Sequence, residues 1–148
     1  MTMGRGIALV GGGLLLFLAL LAGLVYFTRD EDNFQSDNLL AEQFTLEVAR
    51  LSQEGGGELS LRSFANFPWD RGLLVLPDTP REEISRRLGQ EWTGIDTVDR
   101  DLLIFVRRGE VVRFFDYRGL ARFEGFQRPI DDLPDVLRIE PGLVVRPG

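Results

Sequence analysis

Cysteine, histidine and lysine are all missing from this chain of 148 residues. Without cysteine there are no disulfides, thiolate metal sites, iron–sulfur clusters, cysteine nucleophiles or lipid anchors on sulfur. Without histidine the commonest metal ligand and the commonest neutral-pH base are gone. All 17 basic residues are Arg, which excludes Schiff-base chemistry and a lysine base. Arg usage this complete points to GC-rich, bacterial coding. Asp, Glu, Ser, Thr, Tyr and Arg remain for catalysis. Enzymes working with carboxylates alone exist, glycosidases among them, so catalysis is made less expected without being excluded. Neither a cofactor nor a metal is expected.

Charge is missing from one long stretch. Residues 7–27, IALVGGGLLLFLALLAGLVYF, are apolar or small throughout. At about 1.5 Å per residue the run reaches roughly 31 Å, the thickness of a bilayer core. A cleaved signal peptide would have a shorter apolar region ending in small residues, whereas this run ends in Val25, Tyr26 and Phe27. The expectation is one uncleaved transmembrane helix held in the lipid bilayer. Arg5 precedes the span and Arg29 follows it. Basic-residue counting therefore gives a small bias, and a short tail is easily kept inside. The expected organisation is a cytoplasmic tail (1–6), a transmembrane helix (7–27), a linker (28–36) and an extracytoplasmic domain (37–148) in the cell (inner) membrane. Gly4, Ala8 and Gly12, and Ala19 with Gly23, recur at four-residue steps. Such spacing lets membrane helices approach closely and would permit a homodimer.

All 23 acidic residues and 16 of the 17 Arg follow the span, so the outer part carries 16 − 23 = −7. A net acidic domain argues against nucleic acid as a partner.

In the outer domain, residues 33–53 read as an amphipathic helix capped by Ser36 or Asp37. Leu40, Phe44, Val48 and Leu51 share one face, and Gly55–Gly57 end it. Residues 58–64 alternate as in a half-buried strand, and Arg71–Pro77 is an apolar run of strand length, expected at the centre of a sheet. Thr79, Pro80 and Glu82 spell a capping box with proline at the first helical position, and Gly89 sits where a helix-ending glycine belongs. Residues 101–117 read as two strands around Arg107-Arg108-Gly109, with a short turn and a bulge. Both faces of that hairpin carry apolar residues, which places it centrally. Residues 120–126 read as strand or loop, 133–137 as a short turn, and the tail as two strand pieces around Pro141-Gly142. The expected class is α+β, with two helices packed on one face of a mainly antiparallel sheet.

Two stretches stand out as sites. Trp69 and Asp70, directly before the apolar strand, have the composition of a sugar-stacking site, or of a core Trp beside an Asp–Arg71 turn closure. From Arg107 to Arg128, six Arg alternate with aromatics against three acids. Arg113, Phe115, Tyr117 and Arg118 are candidates there for an anionic headgroup, a glycan or an acidic protein. The competing reading buries the aromatics and leaves Arg solvated or paired with Glu110, Asp116 and Glu124. Asp96–Asp101 has acids in number but not the spacing or closing Glu of a calcium loop, and reads as a solvated turn.

Phe67, Trp69, Asp70, Leu73–Leu76, Pro77, Thr79, Ile84, Leu88 and Gly89, with the later hairpin, form a pattern. It resembles a family of small, uncharacterised bacterial membrane-anchored proteins and lipoproteins. The resemblance covers residues 64–117. It implies a fold and no activity, and this chain departs from it in carrying an apolar helix where others carry a lipidated cysteine. The functional expectation is an anchored binding or accessory module that meets another envelope protein or the cell-wall or lipid surface. The alternative is a small extracytoplasmic, carboxylate-based hydrolase acting on glycans.

Overall fold

The computed structural model describes residues 18–20 and 36–148, and the folded unit runs from Gln35 to Gly148. Leu18, Ala19 and Leu20 are helical; the rest of the expected span, and with it most of the proposed dimer face, lies outside the described residues. Among the described residues no helix is long and apolar enough to cross a membrane.

The domain opens with α1, Asn38–Gln53. Ser36 and Asp37 are not helical, so the expected start at residue 33 gives way to one at 38. Asp37 is the cap, its carboxylate accepting from the Leu40 N–H at 3.0 Å. This satisfies one of the donors a helix start leaves open. Ser36, the other expected cap, points elsewhere. Leu40, Phe44, Val48 and Leu51 are buried as their spacing predicts. Gly56 turns the chain with φ +100°, and a Cβ there would meet the Ile139 carbonyl at 2.9 Å.

Strand β1, Gly57–Ser60, is shorter than the predicted 58–64. The Ser60 hydroxyl accepts from the Ser63 N–H and starts a one-turn helix, α2, Leu61–Phe64. Such local capping by Ser competes with strand pairing. Strand β2, Arg71–Val75, is internal, as expected. Helix α3 covers Arg81–Leu88 and ends on left-handed Gly89 (φ +74°).

The predicted capping box is not formed. Pro80 is the cap residue and makes no side-chain cap bond. Thr79 is buried and donates to the Leu76 carbonyl at 2.6 Å. Asp78 takes φ +62°, which rotates Thr79 inward, so its hydroxyl closes the turn rather than the helix.

The remaining strands are β3, Asp101–Arg107, and β4, Glu110–Tyr117; β5, Arg122–Phe123, and β6, Ile130–Asp132; and β7, Val136–Glu140, and β8, Val144–Pro147. Of the segment 133–137, expected as a turn, residues 133–135 join β6 to β7, while Val136 and Leu137 open β7 itself. Two sheets replace the one expected. The first has order β4-β3-β2-β6 and is antiparallel throughout. The second has order β1-β7-β8-β5, with β5 and β8 parallel.

Strand β3 is central, but β4 is an edge, beside which the Asp37 N–H donates to the Phe114 carbonyl. The register slips between Phe105 and Val106, leaving Val112 as the extra residue in β4. The alternation of an unbroken strand is therefore interrupted in β4: Val111 and Phe114 share one core and Val112 joins the other.

The first sheet is buried on both faces. Leu74, Leu103, Phe105 and Phe115 join α1 and the second sheet in one core. Leu73, Val75, Leu102, Ile104 and Phe114 form a second core with Ile84 of α3 and Trp92. That explains why the central strands read as continuous apolar runs rather than as alternation.

Candidate functional site

Four of the six predicted site residues fall at two ends of the first sheet, Trp69 and Asp70 at one and Tyr117 and Arg118 at the other, with Arg113 and Phe115 within β4. Strand β3 separates the two ends by roughly 20 Å, six steps at about 3.3 Å.

At one end, Trp69 is 7% exposed and packs against Phe105 with ring centroids 5.1 Å apart. Its indole N–H donates to the Ala65 carbonyl at 3.0 Å. The Arg62 guanidinium lies 3.7 Å above the ring and donates to the Trp69 carbonyl. The face a sugar would stack on already carries a cation. Asp70 accepts from the Arg108 N–H at 2.8 Å, and its own N–H donates to the Val106 carbonyl. This holds a two-residue turn in which Arg108 (φ +51°) and Gly109 (φ +79°) are both left-handed, the geometry that suits a tight hairpin. The expected Asp70–Arg71 closure is absent, because Arg71 pairs with Asp132 at 3.1 Å.

At the other end the organising group is Asp116, 1% exposed. Its carboxylate accepts from the Ser36 hydroxyl at 2.7 Å, Arg118 Nε at 3.0 Å and Arg100 Nη1 at 3.4 Å. Burial pushes this carboxyl up, but bonds from Arg118, Ser36 and the backbone outweigh burial and hold it below the usual carboxylate value. Arg118 also donates to the Asn38 side chain at 2.9 Å. Tyr117 is buried against Phe44 and Phe123, and its hydroxyl accepts from the Ala121 N–H. Burial raises its phenol above the ordinary value. Phe115 is wholly enclosed. Arg113 stands apart, over the Phe67 ring at 4.5 Å and 3.6 Å from Asp37.

Of the six candidates, then, Arg118 binds Asp116, Tyr117 turns toward Phe44 and Phe123, and Asp70, next to Trp69, holds the hairpin turn. Phe115 and Trp69 offer little or no surface. Ser36, Asn38 and Arg100 complete the Asp116 corner, and none of them was marked in the sequence as a site residue. Ser36 and Arg100 lie 80 and 16 positions from Asp116, and Asn38 lies 80 from Arg118; no local pattern marks such a convergence. Leu39 and Leu46, exposed on α1, are seven residues apart and off the buried stripe. Their helical spacing was the available signal.

Asp101, opposite Tyr117 in the ladder, is pushed up to about 6 by burial, with Arg128 pulling the other way. A carboxyl whose folded value lies above its unfolded one opposes folding once ionised. The penalty is absent below the ordinary value, grows as pH rises to about 6, and persists above it. Asp101→Asn is expected to stabilise the domain by about 1 kcal/mol at neutral pH, a figure discounted for partial exposure. In acid below the ordinary carboxylate range it should change nothing. Urea midpoints at the two pH values check this, and an equal effect at both would remove ionisation as the cause.

Two surface depressions gather carboxylates. One, about 350 Å³, is lined by Asp99, Arg100, Asp116 and Arg118. The other, about 340 Å³, is lined by Arg62, Asp70, Arg71, Asp132 and Asp135. In each, ion pairs with Arg engage carboxylates, and Asp101 lines neither. Among the described residues no group of acids has the arrangement to hold a metal ion.

The outer surface of α1 differs. Leu46 stands exposed between two grooves. One, about 570 Å³, runs along Gln43, Arg50, Leu59, Ser63 and Phe64. The other, about 420 Å³, runs along Asn38, Ala41, Glu42, Thr45 and Arg118. Comparison with protein-family models, curated proteins and solved structures finds no match to this chain.

Proposed function

We propose that this chain is a single-pass envelope protein, N-terminus inside, whose α+β domain is a binding module outside the cytoplasm that engages another envelope protein. The observation that carries the reading is Leu46, a large apolar side chain left in solvent between two grooves on α1. A protruding leucine flanked by concave surface on a helix suits a partner element laid alongside it, as in helix-in-groove recognition. The hydrolase reading has less support. It needs one carboxyl kept protonated opposite a second across a cleft, and the carboxyl with the raised value, Asp101, lines neither acidic depression.

The absence of cysteine makes the test clean. In Leu46→Cys the introduced thiol is the chain's sole one. It is expected to react with a membrane-impermeant maleimide in spheroplasts. A photoreactive maleimide at that position should give a discrete adduct in native membranes, whereas Arg86→Cys on α3 gives none. No reaction in spheroplasts would overturn the topology, and no adduct at position 46 would overturn the binding face.

A further inference from the structure

The folded unit exposes few large apolar side chains, and three lie within two residues of groups bonded around one carboxylate. Leu39 (65% exposed) adjoins Asn38, Val98 (63%) lies two residues before Arg100, and Leu120 (87%) lies two residues after Arg118. Asn38 bonds Arg118, and both Arg bond Asp116. The three segments that carry these apolar side chains, distant in sequence, are thus tied together by one buried acid.

Each Arg is about half exposed despite its contact with Asp116, so each keeps donors free for another oxyanion. A planar fork of donors matches phosphate oxygens. Leucine and valine projecting beside Arg is the composition of a surface that rests in the headgroup layer.

The chain itself supplies the occupant. Ser36, which bonds Asp116 at this end, lies nine positions beyond the last apolar residue of the run, Phe27, with residues 28–35 between them. Fully extended, nine steps reach at most about 32 Å. The end bearing Leu39, Val98 and Leu120 is therefore the one closest along the chain to the bilayer. The hairpin turn at Arg108-Gly109 is at the far end of β3 and β4.

We infer that the Asp116 end of the domain rests on the phospholipid surface, with Leu39, Val98 and Leu120 entering the headgroup layer and Arg100 and Arg118 reaching lipid phosphates. This rests on the anchor proposed above and adds the orientation of the domain. The overall −7 of the outer part opposes any general attraction to an anionic membrane. The corner itself balances Arg100 and Arg118 against Asp99 and Asp116, so the contact rests on free guanidinium donors and apolar side chains rather than on net charge. Weak contacts suffice, because the tether makes the encounter intramolecular at high effective concentration.

The test uses the full chain in vesicles of equal phosphatidylethanolamine and phosphatidylglycerol. An environment-sensitive fluorophore is placed on Val98→Cys, Leu120→Cys or Glu110→Cys, the last an exposed position beside the far hairpin turn. Lipids carrying a nitroxide near the headgroup are expected to remove most of the fluorescence at 98 and 120 and little at 110. Chain that floats with the vesicles but shows equal, slight quenching at all three positions would overturn the orientation and leave the anchor standing. Chain that does not float with the vesicles would remove the anchor and, with it, this inference.

Discussion

Phe44→Ala is expected to lower the unfolding free energy of the domain by about 4 kcal/mol, the middle of the range for emptying an enclosed aromatic site. Phe44 is 0% exposed. Its ring lies 5.6 Å from Phe64, 5.4 Å from Phe115, 5.6 Å from Tyr117 and 6.3 Å from Phe123. It therefore bridges α1, the first sheet and the β5 strand of the second, three elements that share little else but this core. Partial collapse is hard when every neighbour is itself a rigid ring. A urea titration of the full chain in detergent checks the value. A loss under about 1 kcal/mol would mean that α1 does not seat its stripe on the sheets as described.

The second large effect belongs to Asp116. Asp116→Ala is expected to cost about 2–3 kcal/mol at neutral pH. Removal leaves the Ser36 hydroxyl without its acceptor and strips two Arg of a shared carboxylate. Both Arg are half exposed and can rehydrate, which keeps the loss below that of a fully enclosed pair. The pH dependence follows from the direction of the shift. The folded carboxyl ionises below its ordinary value. Its contribution is therefore whole above the unfolded value and is lost as pH falls through the lowered folded one. Stability curves of the parent and the variant should converge in strong acid. Curves that stay parallel would show that packing, not charge, carries the effect.

Some of this was legible in the sequence. The stripe Leu40-Phe44-Val48-Leu51, the strand from Arg71 and the glycine at 89 are local patterns with local causes, and they fold as read. Where reading failed, a side chain had two chemically adequate partners. Thr79 had helix N–H groups ahead of it and the Leu76 carbonyl behind it, and the left-handed Asp78 turned it to the latter. Ser60 could have continued a strand and instead capped α2. The division into two sheets was hidden because strand pairing is settled by contacts between distant segments. Trp69 and Asp70 were singled out on composition, and both turn out to face inward or onto backbone. The Asp116 corner was assembled from three separate segments, none unusual alone.

The bond from Asp70 to the Arg108 N–H has a consequence for the order of folding. The hairpin of β3 and β4 is a local strand pairing joined by a two-residue turn, the kind that closes early and cheaply. Its turn needs two residues in left-handed conformations, one of them an arginine, and its stabilising acceptor comes from 38 positions earlier. The hairpin can therefore register fully only as β2 arrives beside it. Local closure and long-range docking become one cooperative step, and a chain that misplaces Trp69-Asp70 loses the turn together with the neighbouring strand.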